Sequence, residues 1–482
     1  MAAIMRILCV LSLATVFSSC GGGGGAPAPV ISPPSNQAPT ANAGADQSAD
    51  EGTTVDLSAT GSDSDGTIAS YSWQQESGAA VTVTNADMAS ASFVAPAVVA
   101  SEDLVFKVTV TDDDGATGTD LVTITVNDTD PPPPPPPPPT GDFIPLGDLP
   151  GGDFQSVASD VSGDGSVVVG WGTNASGADG YRWTAATGMV SLDPSGELEV
   201  TVYGVSADGT VVVGWKRKAG TSDLVKAFRW TAATGVVEID DLPGGGTESY
   251  ATAASADGSV VVGRGSGASG REAFRWTSAT GTVGLGDLPG ASFWSVANAV
   301  SADGSVVVGG GNSDSAAEAF RWTSASGMVG LGDLPGGEFP IHSGAGDVSA
   351  DGSVVVGMSE GASGTEAILW TSAGGMMGLG FLPGHNPPDA SSSAFGVSAD
   401  GSVVVGRGES DNGSQSREAF VWTQANGMQR LSDILIAKGV TGLDNWELHD
   451  AASISADGLW VVGYGINPSG FWEAYVANIS VP

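Results

Sequence analysis

Basic residues, histidines and cysteines are scarce in this 482-residue chain. It has 16 lysines and arginines against 54 aspartates and glutamates, with three histidines and two cysteines. The formal net charge of −38 argues against a nucleic-acid partner, because binding to the phosphate backbone depends on clustered basic side chains. After residue 20 no apolar run is long enough to span a bilayer. The few histidines also leave little material for a catalytic site built on imidazole.

An internal repeat dominates the rest of the sequence. Seven times the chain carries a variant of the phrase S-x-D-G-S-V-V-V-G, at intervals of 44 to 57 residues. Each period holds four strand-like pieces, here named a, b, c and d. The Asp-Gly pair between strands a and b predicts a two-residue hairpin turn with positive φ at both positions. A strand-rich repeat of this length is typical of a β-propeller. The aspartates that mark the register are Asp164, Asp208, Asp257, Asp303, Asp351, Asp400 and Asp457.

The two ends of the repeat array predict a closed ring. A d-type phrase at residues 143–149 precedes every other element, whereas the last copy has strands a, b and c but no d. The first strand can therefore complete the last blade, which removes the exposed edges of an open stack. We expect an all-β protein in which residues 141–482 form a seven-bladed β-propeller. An open β-solenoid is the alternative.

The N-terminus has the pattern of an export signal. A short segment with Arg6, an apolar run over residues 7–17 and two serines precede Cys20 and five glycines. This pattern resembles a bacterial lipoprotein signal. The resemblance implies cleavage after residue 19, acylation of Cys20 (with palmitate among the chains) and, because Gly21 is not the aspartate of inner-membrane retention, attachment to the outer membrane. An ordinary signal peptide cut nearby is the alternative.

The two cysteines then bear on chemistry and location. Cys9 lies within the predicted signal peptide, and Cys20 is the predicted lipidation site. The mature chain is expected to have no disulfide and no free thiol, which excludes thiolate metal centres and Cys–His catalysis. Its membrane contact is expected through lipid alone. We therefore predict a protein of the bacterial cell envelope, either anchored by lipid in the outer membrane or extracellular.

Composition divides the chain into five segments. Residues 1–19 are the signal peptide, and residues 20–35 are a flexible Gly/Pro tether. Residues 36–127 are rich in short strand-like runs. Residues 128–140 contain nine consecutive prolines, which favour a stiff polyproline II spacer. The repeats occupy residues 141–482.

The segment 36–127 is predicted to be an immunoglobulin-like β-sandwich. Its strand-like runs are separated by turn residues and lie at 54–57, 68–73, 81–83, 91–93, 104–110 and 121–126. The phrases N-Q-A-P-T-A-N-A-G-A-D from Asn36, S-D-S-D-G-T-I-A-S-Y-S-W ending at Trp73 and V-T-V-T-D-D-D-G ending at Gly115 resemble PKD-type domains. Residues 74–78 depart from the usual D-F-G-D-G stretch, so the segment resembles the divergent PKD-like branch. Such domains of secreted bacterial proteins are usually spacers or adhesive modules.

Clustered aspartates in this segment raise the question of calcium. Asp63, Asp65, Asp112, Asp113 and Asp114 lie in two turns, and carboxylates are suitable ligands for Ca²⁺. Asp-Gly turns also need no metal, and the position that would close an EF-hand-like loop holds Gln74 rather than glutamate. We expect no cofactor; calcium at Asp63, Asp65, Asp112 and Asp114 is the alternative.

The repeats resemble a known family as well. The phrase A-F-R-W-T-x-A-x-G-M-V-x-L-G-D-L-P-G-G, together with S-A-D-G-S-V-V-V-G, resembles the extracellular HAF repeats of secreted bacterial proteins, for which no general activity is implied. A residue repeated in blade after blade points to a structural role. We expect Arg182, Arg229, Arg275 and Arg321 to stack on tryptophan or pair with a d-strand aspartate between blades. The tryptophans are expected to pack the blades, and they are Trp183, Trp230, Trp276, Trp322, Trp370 and Trp422.

Residues that break the repeat are the candidates for ligand binding. The b–c and d–a connections share one face of the predicted disc, and they vary in sequence and contain aromatic residues. Such residues suit stacking on sugars or anchoring a protein, although several could simply cap the blades. The candidates are Trp171, Trp215, Trp294, Phe339, His342, His385, Trp446 and His449; Phe154, Tyr250 and Tyr464 lie in the same connections.

The sequence favours a non-catalytic binding protein with a glycan or surface-protein partner. An extracellular carbohydrate-active hydrolase or lyase is one alternative, and a structural spacer is another. An enzyme is expected to break the internal symmetry at several neighbouring blades. Only residues 430–451, with a predicted short helix around Leu435, form a clear insertion.

Overall fold

The computed structural model describes residues 36–98, 102–127, 141–219, 225–290, 292–314, 316–336, 342–384, 390–410 and 416–480. The chain divides into two compact units, residues 1–131 and 132–482. The predicted signal peptide, tether and polyproline spacer lie outside the described residues. Within the described ranges, no helix is both long and apolar enough to cross a bilayer.

The N-terminal unit is a small β-sandwich. Its strands are β1 (Thr40–Asn42), β2 (Gln47–Asp50), β3 (Thr54–Ser58), β4 (Thr60–Ser62), β5 (Ile68–Ser77), β6 (Ser90–Val94), β7 (Glu102–Asp112) and β8 (Thr117–Asn127). The largest sheet has the order β2-β8-β7-β5, with β2 parallel to β8, and β1 pairs with β4 and β3 with β6. Alternate residues of β7 and β8 are fully buried, as expected for strands with one face in a core. The strand predicted at 81–83 is wrong, because that segment makes only an isolated bridge from Thr84 to Ser92.

The second unit consists of seven four-stranded antiparallel sheets, the blades. Blade 1 contains β10 (Gly151–Val161), β11 (Val167–Asn174), β12 (Gly177–Thr184) and β13 (Gly188–Ser191). Blade 2 contains β14 (Leu198–Val205), β15 (Val212–Lys218), β16 (Lys226–Thr231) and β17 (Gly235–Glu238). Blade 3 contains β18 (Ser249–Ala254), β19 (Val260–Gly267), β20 (Gly270–Thr277) and β21 (Gly281–Gly284). Blade 4 contains β22 (Ser295–Val300), β23 (Val306–Asn312), β24 (Ala317–Thr323) and β25 (Gly327–Gly330).

The last three blades follow the same plan. Blade 5 contains β26 (Ser343–Val348), β27 (Val354–Gly361), β28 (Gly364–Thr371) and β29 (Gly375–Gly378). Blade 6 contains β30 (Ser391–Val397), β31 (Val403–Ser410), β32 (Ser416–Thr423) and β33 (Gly427–Arg430). Blade 7 contains β34 (Glu447–Ile454), β35 (Trp460–Ile466) and β36 (Trp472–Asn478), and its fourth strand is β9 (Phe143–Pro145). The prediction of seven blades, each running a-b-c-d, is confirmed.

The ring is closed by the strand that precedes blade 1. Strand β9 pairs antiparallel with β36, with Ile144 opposite Val476. Strand a of each blade contacts strand a of the next all the way round, including blade 7 against blade 1, so the a strands are innermost. Seven backbone hydrogen bonds of 2.8–3.1 Å run in a continuous circle, each from the N–H of one residue to the carbonyl of the next, through Gly163, Ala207, Ala256, Ala302, Ala350, Ala399, Ala456 and back to Gly163. The alternative of an open solenoid is therefore wrong.

The turn that carries the repeated aspartate differs from the predicted one. In blade 1, Gly165 has a φ of 76°, whereas Asp164 is not in the positive-φ region. The carboxylate of Asp164 accepts hydrogen bonds from Ser162 Oγ (2.8 Å) and from the N–H of Ser166 (2.9 Å). Ser162 Oγ in turn accepts from the N–H of Val167 at 2.9 Å. The same three contacts recur in every blade, so the aspartate acts as a side-chain cap of a longer turn.

The repeated arginines join neighbouring blades, but with another partner than predicted. The Nε of Arg182 donates to the carbonyl of Gly209, the turn glycine of blade 2, at 3.3 Å. Arg229, Arg275 and Arg321 repeat this bond to Gly258, Gly304 and Gly352. The acceptor is thus a backbone carbonyl of the next blade rather than a d-strand carboxylate. The packing role predicted for the tryptophans is confirmed, because each lies in or against an interblade hydrophobic cluster.

Two carboxylates of the innermost strands also bridge blades. Asp160 of blade 1 accepts from the N–H of Val205 in blade 2 (2.9 Å) and from Ser453 Oγ in blade 7 (2.6 Å). Asp347 of blade 5 accepts from the N–H of Val397 in blade 6 at 2.9 Å. Burial raises the pKa of Asp160, and burial together with the charge of Asp160 raises that of Asp347 to about 7.

The predicted insertion contains the helix α1 (Leu431–Ala437). Its apolar side chains Leu431 and Leu435 are fully buried against blades 6 and 7. Lys438 Nζ, just after the helix, bonds to Asp142 Oδ1 at 2.7 Å. The helix therefore packs beside the strand that closes the ring.

Candidate functional site

The strand order places the Asp-Gly turns at one end of all blades and the b–c and d–a connections at the other. We call these two ends the turn face and the loop face. The predicted candidates that the structure describes lie at or near the loop face. Phe339 and His385 lie outside the described residues.

One position of strand b carries a different side chain in almost every blade. It follows the repeated Val-Val-Val-Gly and is occupied, in blade order, by Trp171, Trp215, Arg264, Gly310, Met358, Arg407 and Tyr464. In blade 2 this residue contacts blade 3 (Trp215 with Tyr250), and in blade 6 it contacts blade 7 (Arg407 with Asp450). We call it the seam position. A rigid, repeated scaffold that presents a different side chain in each blade is a common basis of specific recognition.

A first aromatic group, the blade 2–3 platform, consists of Tyr203, Trp215, Tyr250 and Arg264. Trp215 Nε1 donates to the hydroxyl of Tyr203 at 3.2 Å, and its ring meets that of Tyr250 edge-on with centroids 6.2 Å apart. The guanidinium carbon of Arg264 lies 4.3 Å from the centroid of the Tyr250 ring, a cation–π contact. Tyr203 is 40% exposed. The platform is thus an aromatic surface, partly open to solvent, with a cation at one side.

A second group, the blade 7–1 patch, contains Phe154, His449, Tyr464, Phe471 and Trp472. Tyr464 and Trp472 are stacked with centroids 5.3 Å apart, and His449 meets Tyr464 edge-on at 6.4 Å. Phe154 of blade 1 contacts Phe471 of blade 7 at 5.6 Å. Phe471 is 48% exposed and Trp472 42%, which are large values for such apolar rings. The patch spans the seam at which the ring closes.

The other candidates are dispersed or serve packing. Trp171 is half-buried at its seam position. Trp294 is half-buried and covers Gly310, the seam position that lacks a side chain. His342 is exposed, with Nδ1 3.4 Å from Glu360 Oε2. Trp446 meets Phe143 edge-on at 5.3 Å and packs against the cluster around the helix, so we leave it out of the proposed ligand surface.

Several exposed or seam residues were not among the sequence candidates. They are Tyr203, Arg264, Met358, Arg407, Phe471 and Trp472. For Arg264, Met358 and Arg407 a signal was present, because the residue after Val-Val-Val-Gly changes from copy to copy. Phe471 and Trp472 lie where strand c of blade 7 departs from the E-A-F-R-W pattern, but their exposure depends on Phe154 and Tyr464 in three dimensions.

The aspartates considered for calcium act as turn caps. Asp112 accepts from the N–H groups of Asp114 (3.0 Å) and Ala116 (2.8 Å), and Asp65 accepts from the N–H of Gln37 at 3.2 Å. The hydrogen bond from the N–H of Thr67 lowers the pKa of Asp113. Asp63 Oδ2 is buried without a hydrogen-bond partner. Among the described residues, no three His, Cys, Asp or Glu side chains are grouped so that they could hold a metal ion.

Comparison with known proteins bears on the N-terminal unit. Residues 43–126 match a family model of PKD domains. The PKD1 domain of Vibrio anguillarum Epp is 28% identical over 20% of this chain and 99% of that one, with a TM-score of 0.15. PKD domains are typical of extracellular proteins.

Two further solved structures are similar to parts of the chain. A nucleoside hydrolase-related protein from Saccharophagus degradans, associated with carbohydrate metabolism, is 24% identical over 19% of this chain and 26% of that one, with a TM-score of 0.18. A putative TolB from Agrobacterium tumefaciens is 15% identical over 61% of this chain and 94% of that one, with a TM-score of 0.35. No curated protein matches the chain significantly. The chain thus carries a PKD domain, followed by seven four-stranded blades.

Proposed function

We propose that this chain is a non-catalytic surface lipoprotein whose propeller binds a glycan or a protein at its loop face. The observation that carries the proposal is the exposure of large aromatic rings at that face, on positions that vary among blades. Exposed aromatic rings beside polar groups contribute much of the binding energy in recognition surfaces. The repeated aromatic residues, by contrast, are used in packing between blades.

The proposed ligand surface comprises the blade 2–3 platform and the blade 7–1 patch. Stacked rings such as Tyr464 and Trp472 offer a flat apolar surface that suits the C–H face of a sugar or a protein side chain. Their edges carry the Tyr464 hydroxyl and the indole N–H of Trp472, which can fix the orientation of a ligand. Trp171, Trp294, His342 and His449 remain candidates at the margin of this surface.

Replacement of Trp472 or Trp215 by alanine is expected to weaken ligand binding at least about 10-fold, the effect of losing about 1.4 kcal/mol of contact energy. The loss of stability should be small for Trp472, which is 42% exposed. The measurement is a glycan array and a surface-protein panel probed with the full chain, scored for binding and for cleavage, followed by titration of the best ligand.

Leu459→Ala is the matched control, because Leu459 is 38% exposed in the same blade but follows the Asp457-Gly458 turn on the opposite face. Wild-type affinity in both tryptophan variants, with loss in Leu459→Ala, would place the ligand on the turn face. Cleavage of a bound glycan would support the carbohydrate-active enzyme instead.

The proposed anchor is lipid on Cys20, at the outer membrane. Cys20→Ala is expected to shift the protein from the detergent-extracted membrane fraction to the soluble fraction and to abolish labelling by a palmitate analogue. Cys9→Ala changes the other cysteine, which is expected to leave with the signal peptide, and should alter neither result. Membrane partitioning of Cys20→Ala equal to that of the wild type would show that the chain is held in another way.

A further inference from the structure

The basic residues around the blade 2–3 platform differ in how they are neutralised. Arg217 forms a two-point ion pair with Glu199, with N–O distances of 2.7 and 2.9 Å. Lys216 pairs with Glu238 at 3.1 Å, and Lys226 pairs with Asp241. Arg264 has no ion pair within the described part of the chain, and its Nε is buried without a hydrogen-bond partner. In a chain with a net charge of −38, such an unneutralised guanidinium is unusual.

The position of Arg264 is set by aromatic contact rather than by charge. Its guanidinium carbon is 4.3 Å from the Tyr250 ring centroid, and Tyr250 is held against Trp215, which bonds to Tyr203. Stacking on an aromatic face restricts a guanidinium and leaves its N–H groups available at the edge. A buried N–H without a partner costs free energy, which a ligand acceptor can recover.

We propose that the blade 2–3 platform binds an acidic glycan, with a sugar carboxylate on Arg264 and the sugar ring on the aromatic residues. This inference rests on the proposed function and specifies its ligand class. A planar guanidinium matches a carboxylate with two hydrogen bonds, and such charge-assisted bonds are stronger than neutral ones. One unpaired cation beside three rings fits a uronic acid unit, which has one carboxylate on a flat ring. An acidic peptide would call for several unpaired cations.

The test uses the full chain and oligosaccharides of galacturonate, mannuronate and hyaluronan, each paired with its carboxyl-reduced, neutral counterpart. We expect at least one acidic oligosaccharide to bind 10-fold or more tightly than its neutral counterpart. Arg264→Met should reduce that ratio to about one while affinity for the neutral form is kept. Arg264→Lys, which keeps the charge but loses the planar fork, should keep part of the ratio and guards against a folding defect, as does thermal melting of each variant.

Arg271→Met is the matched control, since Arg271 is an exposed arginine of the same blade and its loss changes net charge equally. Its ratio should equal that of the wild type. Equal binding of acidic and neutral sugars would overturn this inference and leave the proposed function intact. Binding of poly-glutamate in place of any sugar, lost in Arg264→Met, would assign the platform to an acidic peptide instead. If no glycan or protein ligand binds the chain at all, the proposed function fails together with this inference.

Discussion

Deletion of residues 141–149 is expected to lower the free energy of unfolding of the propeller by several kcal/mol. The segment contributes strand β9, whose loss leaves the edge of β36 unpaired. It also contributes Leu146 and Leu149, which are 6% and 3% exposed and pack with Tyr181 and Trp183 of blade 1. Burial of one leucine is worth about 2–5 kcal/mol when it is truncated to alanine.

Thermal or denaturant unfolding of the full chain measures this effect. Deletion of residues 131–139, the nine prolines just before the propeller, is the control and should leave the transition of the propeller nearly unchanged. Leu149→Ala is a milder test that keeps the backbone of β9 and should give an intermediate loss. Equal midpoints for the two deletions would mean that blade 7 is stable without its fourth strand.

The stability of the propeller should be greatest near pH 4 and should fall on both sides. Burial raises the pKa of Asp347 to about 7 and that of Asp179 to about 6 in the folded state. A raised folded pKa contributes stability that is complete below the unfolded pKa of about 4 and is lost as pH rises through the folded pKa. Where one such carboxyl titrates only in the unfolded chain, the loss is about 1.4 kcal/mol per pH unit.

The turn aspartates act in the opposite direction. Hydrogen bonds from the serine two residues further on lower the pKa of Asp257 and Asp351 to about 2. Their contribution is present above the unfolded pKa and is lost as pH falls through the folded pKa, between about pH 4 and pH 2.

Denaturant unfolding at a series of pH values tests both limbs. Asp347→Asn should flatten the fall between pH 4 and pH 7, whereas Asp351→Asn should leave that limb unchanged. A profile of Asp347→Asn that superimposes on the wild type between pH 4 and pH 7 would show that Asp347 does not titrate in this range.

Much of this architecture is encoded locally and could be predicted. The spacing of the seven aspartates gave the number of blades, because each period contains one complete four-stranded unit. The early d-type phrase predicted the pairing of β9 with β36, since a ring with one strand missing at its end and one extra at its start can close in only that way. The PKD-type segment was predicted from its own phrases, and residues 43–126 match a PKD family model.

Contacts between blades were decided only by the tertiary structure. The arginines donate to a glycine carbonyl 27 to 31 residues away, and any backbone carbonyl looks the same in sequence. Trp446 and Trp472 both depart from the repeat, yet Trp446 packs on Phe143 while Trp472 remains exposed beside Tyr464. Whether an aromatic ring is buried or exposed depends on neighbours that the closing of the ring brings together. Sequence therefore determined the blades, and their packing decided which side chains face solvent and are free to bind.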